Sequence, residues 1–389
     1  MVKKSSRQTT APKASPGISP RLVLAAVLLV AAIGAAFVFL PWGNEPAPAN
    51  ESAASLETAD SFYMPAEFQT QEFLLLAGAQ LAELHPDVLV DILKAAASDV
   101  RIQILSGSAD NRSLIETILT DNGLPFASVD ILRLPILTMW LRDFAPVTVS
   151  DANGFRSMVD FHYRERRGNN LDDGVPAYLA TGMGLNLMGS RMLAEGGDYL
   201  SNGQGLCLLS TRVINRNAHY LEMDPDQTMA NFAALLGFET LSMVPPLIGE
   251  STGHADMFCA FVKPNLVVIG SYDPAVDPEN AAQLDQIVKG LEDFPTLEGP
   301  LRIERMPMPD HDDGVWRTYT NIVFANGVLL VPIYPDYCPD LDEAALAKYR
   351  RLLPNHRVVG IDASRLIKMN GALRCITMNV PIGSPIIPD

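Results

Sequence analysis

The sequence predicts an α/β domain over residues 61–389, set behind one N-terminal apolar helix. Three observations carry this reading. From Ser61 onward, short runs of Val, Ile and Leu bounded by turn residues alternate with segments whose apolar residues return every three or four positions. Asn-Gly pairs recur at Asn122-Gly123, Asn153-Gly154, Asn202-Gly203, Asn326-Gly327 and Asn370-Gly371, a dipeptide that favours φ > 0 and tight hairpins. Residues Leu22 to Leu40 run without a charge or a strongly polar side chain. At ~1.5 Å per residue such a helix just crosses a hydrocarbon core.

Taken in order, residues 1–21 form a basic tail with Lys3, Lys4, Arg7, Lys13 and Arg21, and residues 22–40 form the anchor. Glu45, Glu51, Glu57 and Asp60 follow it, so the positive-inside rule puts the N-terminus in the cytoplasm and the remainder outside, in the periplasm. The rival reading is a secreted chain cleaved near Ala47-Pro48-Ala49, but the apolar run exceeds the usual ~7–15 residue signal core. Residues 41–60, rich in Ala, Ser, Pro and Glu, read as a flexible linker. Strands are expected at Phe73–Ala79, Val100–Leu105, Val147–Val149, Leu206–Ser210, Leu266–Gly270, Val328–Pro332 and Arg357–Ile361. Helices are expected at Val88–Ala97, Ser113–Asn122, Asp226–Leu236, Pro278–Leu291 and Leu341–Leu352. At least three Asn-Gly pairs immediately precede an apolar strand, which suggests a repeated ββα unit. No Gly-rich phosphate loop follows an early strand, which argues against a doubly wound parallel sheet.

With 48% hydrophobic and 19% charged residues, the chain can bury a large core. Its formal net charge of -16 argues against unaided binding of nucleic acid or of an anionic bilayer, and suits a cationic substrate as well as solubility. The four cysteines, Cys207, Cys259, Cys338 and Cys375, form no C-x-x-C pair, so neither a zinc site nor a redox dithiol is indicated.

Four strings depart from what a core needs. Trp140-Leu141-Arg142-Asp143-Phe144 sets an acid beside a large aromatic; alone, its Arg-Asp pair reads as a salt bridge at a loop. Glu195-Gly196-Gly197-Asp198 puts two glycines between carboxylates, as a close backbone approach or an ordinary turn would. Thr252-Gly253-His254-Ala255-Asp256 sets a His and an Asp two apart, on one face if the segment is extended; with no other His nearby, metal ligation is the weaker option. Asn370-Gly371-Ala372-Leu373-Arg374-Cys375 puts a thiol after a turn and beside a cation that would help hold a thiolate, although a Cys in an apolar tail is more often a small core residue.

Together and in this order, these strings resemble the agmatine deiminase and bacterial (Porphyromonas-type) peptidyl-arginine deiminase family of the guanidine-modifying pentein superfamily. The resemblance runs from Met64-Pro65-Ala66-Glu67 to Pro381 and includes Arg317-Thr318-Tyr319-Thr320-Asn321, similar to the family's Ser-Tyr-x-Asn string. It implies the pentein fold, a five-bladed pseudosymmetric α/β propeller. It also implies hydrolysis of a guanidinium group with release of ammonia. Cys375 would attack the central carbon to form an S-alkylthiouronium, Asp143 and Asp256 would each take a pair of N–H donors, His254 would transfer protons, and Glu195 would hold the imidazole. Trp140, Arg142 and Asn321 would bind substrate, and neither cofactor nor metal would be required. The family has more Gly and a His before its Cys where this chain has Asn370 and Arg374, and commonly Asn at Asp198.

Two substrate classes fit the resemblance, agmatine or a peptide ending in arginine. The anchor favours the second, and one of Arg164, Arg166 and Arg167 would then bind the terminal carboxylate. A catalytically silent extracytoplasmic guanidine-binding or scaffold protein is the alternative. A thiol hydrolase acting on amides is poorer, because two convergent acids would repel a developing oxyanion.

Overall fold

A computed structural model of the chain describes residues 62–124, 126–163 and 171–385. Among these residues the strands form six sheets, and five of them repeat one pattern. An antiparallel hairpin is followed by a helical crossover that returns a third strand parallel to the hairpin's second. Val147–Ser150 and Phe155–Phe161 are joined in this way by Asn186–Ser190, Tyr199–Ser201 and Leu206–Ser210 by Thr240–Val244, Cys259–Lys263 and Leu266–Ser271 by Arg302–Pro307, and Val323–Ala325 and Val328–Ile333 by Arg357–Asp362. In the fifth sheet the hairpin's first strand is Thr377–Pro381, from the far end of the chain, paired antiparallel with Gln71–Leu76; Arg101–Leu105 and Val129–Leu132 extend the sheet in parallel.

The middle strands Leu206–Ser210, Leu266–Ser271 and Val328–Ile333 are nearly continuous in apolar residues because neither of their faces meets water, whereas Phe155–Phe161 carries Arg156, Ser157 and Asp160. Leu206–Ser210 is buried throughout and Val328–Ile333 nearly so. The returning strands Asn186–Ser190, Thr240–Val244 and Arg302–Pro307 are half-exposed, and their sequences show neither a run nor a clean alternation. Asn-Gly pairs turn three of the hairpins, with Gly154, Gly203 and Asn326 at positive φ. Asn122-Gly123 instead ends the helix Ala109–Asp121, and Asn370 ends a short 3-10 turn ahead of Cys375.

The crossover helices carry caps that their sequences specify. Ser108, Asp224 and Asp277 each accept a backbone N–H of the first turn, worth about 1 kcal/mol apiece. The helix Pro225–Leu236 ends at Gly237 in the left-handed region.

One expectation is corrected and one helix is added. The first strand stops at Leu76, not Ala79, because the apolar run belongs to two elements: the helix Gly78–Leu84 begins at once and buries Gly78, Ala79, Leu81 and Ala82. The helix Thr211–Leu221 is an element the sequence reading omits; its run Thr-Arg-Val-Ile-Asn-Arg-Asn is mostly polar and buries only Val213 and Asn217. Among the described residues all four cysteines are free, and no helix is long and apolar enough to cross a membrane. The expected tail, anchor and linker, residues 1–21, 22–40 and 41–60, lie outside the described residues, as do Arg164, Arg166 and Arg167.

Candidate active site

Each of the five repeated units delivers one or two candidate side chains from the same place, the segment just ahead of its first strand. Asp143 precedes Val147–Ser150, Glu195 precedes Tyr199–Ser201, His254 and Asp256 precede Cys259–Lys263, Asn321 precedes Val323–Ala325, and Cys375 precedes Thr377–Pro381. Residues far apart in sequence thus occupy equivalent positions in the repeat.

A closed circuit of hydrogen bonds ties these five loops together in chain order. Arg142 N donates to Cys375 O (3.0 Å), Gly196 N to Arg142 O (3.0 Å), and Asp256 N to Gly197 O (3.2 Å). Thr320 Oγ1 donates to Asp256 O (3.0 Å), and Arg374 N returns to Asn321 Oδ1 (2.8 Å). Each loop is fixed by its neighbour, so the site rests on the whole repeat.

The two glycines of Glu195-Gly196-Gly197-Asp198 serve close approach, since neither has positive φ. A Cβ on Gly196 would stand 2.4 Å from Arg142 O, and one on Gly197 would stand 2.3 Å from His254 Nδ1. Asp256 sits in a 3-10 turn, Ala255–Met257, so the segment is not extended there.

His254 Nε2 lies 2.9 Å from Glu195 Oε2. Glu195 is also gripped by Arg212 Nη2 (2.8 Å) and Arg216 Nη1 (2.6 Å), while Arg212 Nη1 reaches both oxygens of Asp198 (2.9 and 3.0 Å). Burial opposes charge on Glu195, yet the His254 hydrogen bond and the guanidinium groups of Arg212 and Arg216 hold it well below the usual carboxylate range. Burial likewise opposes the imidazolium of His254, but the Asp143 charge and the Glu195 hydrogen bond raise it to about 10. His254 is therefore cationic at neutral pH. Burial, aided by the charges of Glu195 and Asp256 and opposed by His254, pushes Asp143 up to about 7.

Cys375 is buried, with Asn321 Nδ2 3.4 Å from its Sγ. Burial first, then the charges of Asp256 and Asp143, push its thiol far up. The cation beside it in sequence does not offset this. Arg374 turns its guanidinium onto Glu67 (2.8 Å) and Asp256 (2.8 Å), which corrects the expectation that it would hold a thiolate. Arg142 is spent similarly, its fork going to Glu67 (2.7 Å) and Asn379 (3.2 Å). Trp140 is half-buried and its ring packs on Gly371, where a Cβ would lie 2.2 Å away.

Among the described residues, two buried carboxylate oxygens at this site have no hydrogen-bond partner, Oδ1 of Asp143 and Oδ1 of Asp256. An unpartnered carboxylate oxygen in a dry site is costly unless something cationic arrives. Asp143, Glu195 and His254 also offer ligand atoms within 4.8 Å of one another, a spacing a metal ion could use. The donor set argues against that use, because Glu195 is already held by two guanidinium groups and its imidazole partner is protonated.

Sequence reasoning missed Arg212 and Arg216, and it quoted Glu67 without giving it a role. Two arginines four apart just after a strand were the available signal, concealed because that stretch was not recognised as a helix.

Residues 63–381 match the family described as Porphyromonas-type peptidyl-arginine deiminase. A Streptomyces avermitilis relative, provisionally named an agmatine deiminase, is 26% identical over 84% of this chain and 99% of its own length. Among solved structures, the agmatine deiminase of C. jejuni superposes with TM-score 0.70 at 21% identity, covering 83% of this chain and 97% of that one. That of Enterococcus faecalis gives TM-score 0.70 at 18% identity, covering 83% and 96%. At such identities the likeness between structures is one of fold.

Proposed function

The chain belongs to the Porphyromonas-type peptidyl-arginine deiminase family, and on that premise we propose that it hydrolyses a guanidinium group and releases ammonia, with Cys375 as the nucleophile. One observation carries this reading: two unpartnered, buried carboxylate oxygens, on Asp143 and Asp256, beside a thiol and a protonated imidazole. A planar cation rich in N–H donors satisfies both oxygens at once.

Such a cation also changes the thiol. On their own, the charges of Asp256 and Asp143 help keep Cys375 protonated. A bound guanidinium neutralises those charges and lowers the thiol's pKa, so the thiol releases its proton to solvent as the substrate docks. The thiolate adds to the central carbon, forming a C–S bond. His254 gives its proton to the departing nitrogen, the C–N bond breaks, ammonia leaves, and an S-alkylthiouronium remains on Cys375. The neutral imidazole, held at Glu195, then takes a proton from water as the water attacks the same carbon. The C–S bond breaks, the remaining hydroxyl proton passes to the departing sulfur, and the products are a substituted urea and a regenerated thiol.

The five like units and their hydrogen-bonded circuit support a five-bladed propeller. Neighbouring proteins bear the name agmatine deiminase, so agmatine heads the substrates to test. A peptide ending in arginine is the second, favoured by an anchor at residues 22–40 that would hold the domain outside the cytoplasmic membrane by a flexible linker. Sedimentation of the full chain with membranes, and its release when residues 1–60 are deleted, would support the anchor; a wholly soluble full chain would count against it.

The decisive assay measures ammonia released from agmatine, free arginine and a peptide ending in arginine, with Cys375→Ala in parallel. Release from one substrate that disappears in the variant is the expected result. A folded chain that binds guanidines yet releases nothing would instead be the silent binding protein.

A further inference from the structure

Arg374 directly precedes Cys375, and its surroundings are fully described. Its side chain is 3% exposed and its fork reaches in two directions. Nη1 donates to Asp256 Oδ2 (2.8 Å) and to Gly196 O (2.8 Å), while Nε and Nη2 grip Glu67 (3.1, 3.2 and 2.8 Å). Arg142 Nη1 closes the group on the same Glu67 oxygen. Two cations, Arg374 and Arg142, and two anions, Glu67 and Asp256, thus form a balanced quartet in which only Glu67 is partly exposed.

We propose that Arg374 is a positioning residue, anchored by Glu67, that holds Asp256 by Oδ2 so that only Oδ1 is presented to a guanidinium substrate. This rests on the guanidinium reading above and adds which oxygen does the work. The unpartnered state of Oδ1 beside the occupied state of Oδ2 is the observation behind it. Asp256 then contributes one oxygen to the clamp, and a two-pronged grip can come only from Asp143. The arrangement requires arginine. A planar fork can join carboxylates from two different loops and a backbone carbonyl at fixed angles, whereas a lysine ammonium is a point donor that cannot span them.

The test uses the full chain in a Cys375→Ser background, so that ligand is bound and not consumed, with agmatine and guanidinium ion as probes in titration calorimetry. Arg374→Lys keeps the charge and loses the fork, and should raise the Kd for both probes about tenfold, the effect of roughly one oriented charge-assisted hydrogen bond. Glu67→Gln weakens the anchor and should raise it about threefold by the same reasoning. Thermal melts are recorded alongside. A folded Arg374→Lys protein with a lowered Tm and unchanged Kd would mean that Arg374 is structural only, which overturns the proposal. If that variant does not fold, Glu67→Gln decides, and an unchanged Kd there overturns it equally. Failure of both probes to bind the Cys375→Ser parent would overturn it as well. Binding by that parent without turnover by the wild-type chain would overturn only the hydrolytic reading.

Discussion

Gly197 lies against the imidazole of His254 so closely that a methyl group there would stand 2.3 Å from Nδ1 and 2.6 Å from Cγ. The ring is therefore seated on bare backbone on one side, with Glu195 Oε2 2.9 Å from Nε2. Gly197→Ala should displace the ring and lower kcat by about a hundredfold, the cost of a misplacement near 1 Å. The overpacking should destabilise the fold by about 1–3 kcal/mol. Steady-state kinetics and a thermal melt test this together; a fully active variant would mean that the ring position is not critical.

The activity should follow a bell in pH. Asp143 must be ionised to hold a cation, so kcat/KM should rise as the pH passes about 7. His254 must be protonated to release ammonia, so activity should fall as the pH passes about 10. Stability has its own sign. Because the folded value of His254 is raised, its contribution is complete below about pH 6.5 and is lost as pH rises through about 10. A rate unchanged between about pH 6 and 8 would refute the role given to Asp143.

Arg212 and Arg216 should differ in importance. Arg212 engages both Glu195 and Asp198, whereas Arg216 reaches Glu195 alone. Arg212→Ala leaves two buried carboxylates short of a partner and should cost about 2–3 kcal/mol after allowing for its partial exposure. Arg216→Ala should cost less. Chemical denaturation of both variants checks the order, and the reverse order would contradict it. The same pairing gives Asp198 its role, since its carboxylate takes both bonds from Arg212 Nη1.

Asn321 ties the thiol to the loop circuit, with Nδ2 3.4 Å from Cys375 Sγ and Oδ1 2.8 Å from Arg374 N. Asn321→Ala should lower kcat about tenfold while leaving KM within about twofold, because the loss falls on the nucleophile. A rise in KM alone would place Asn321 with substrate binding instead.

How much of this was legible in sequence follows from burial. The middle strands, such as Leu206–Ser210 and Val328–Ile333, are covered on both faces and so stand out as apolar runs. The returning strands and the helix Thr211–Leu221 are half-exposed, with patterns close to those of loops. The strings around Asp143, Glu195, His254 and Cys375 were visible because glycines and acids in apolar surroundings need explaining. Glu67 and Arg212 were not, because their significance lies in partners brought near only by the fold. Glu67 lies 307 residues from Arg374 along the chain, and no local pattern reports such a pair.

The central claim is that Cys375 forms a covalent bond to a guanidinium carbon. It is tested most directly by mixing the chain with a substrate that it turns over, quenching in acid within one turnover, and weighing the peptide that contains Cys375. A gain equal to the substrate cation less ammonia and a proton, absent in Cys375→Ser, is the predicted result. Continued turnover with no adduct on that peptide, or turnover surviving in Cys375→Ser, would contradict the account.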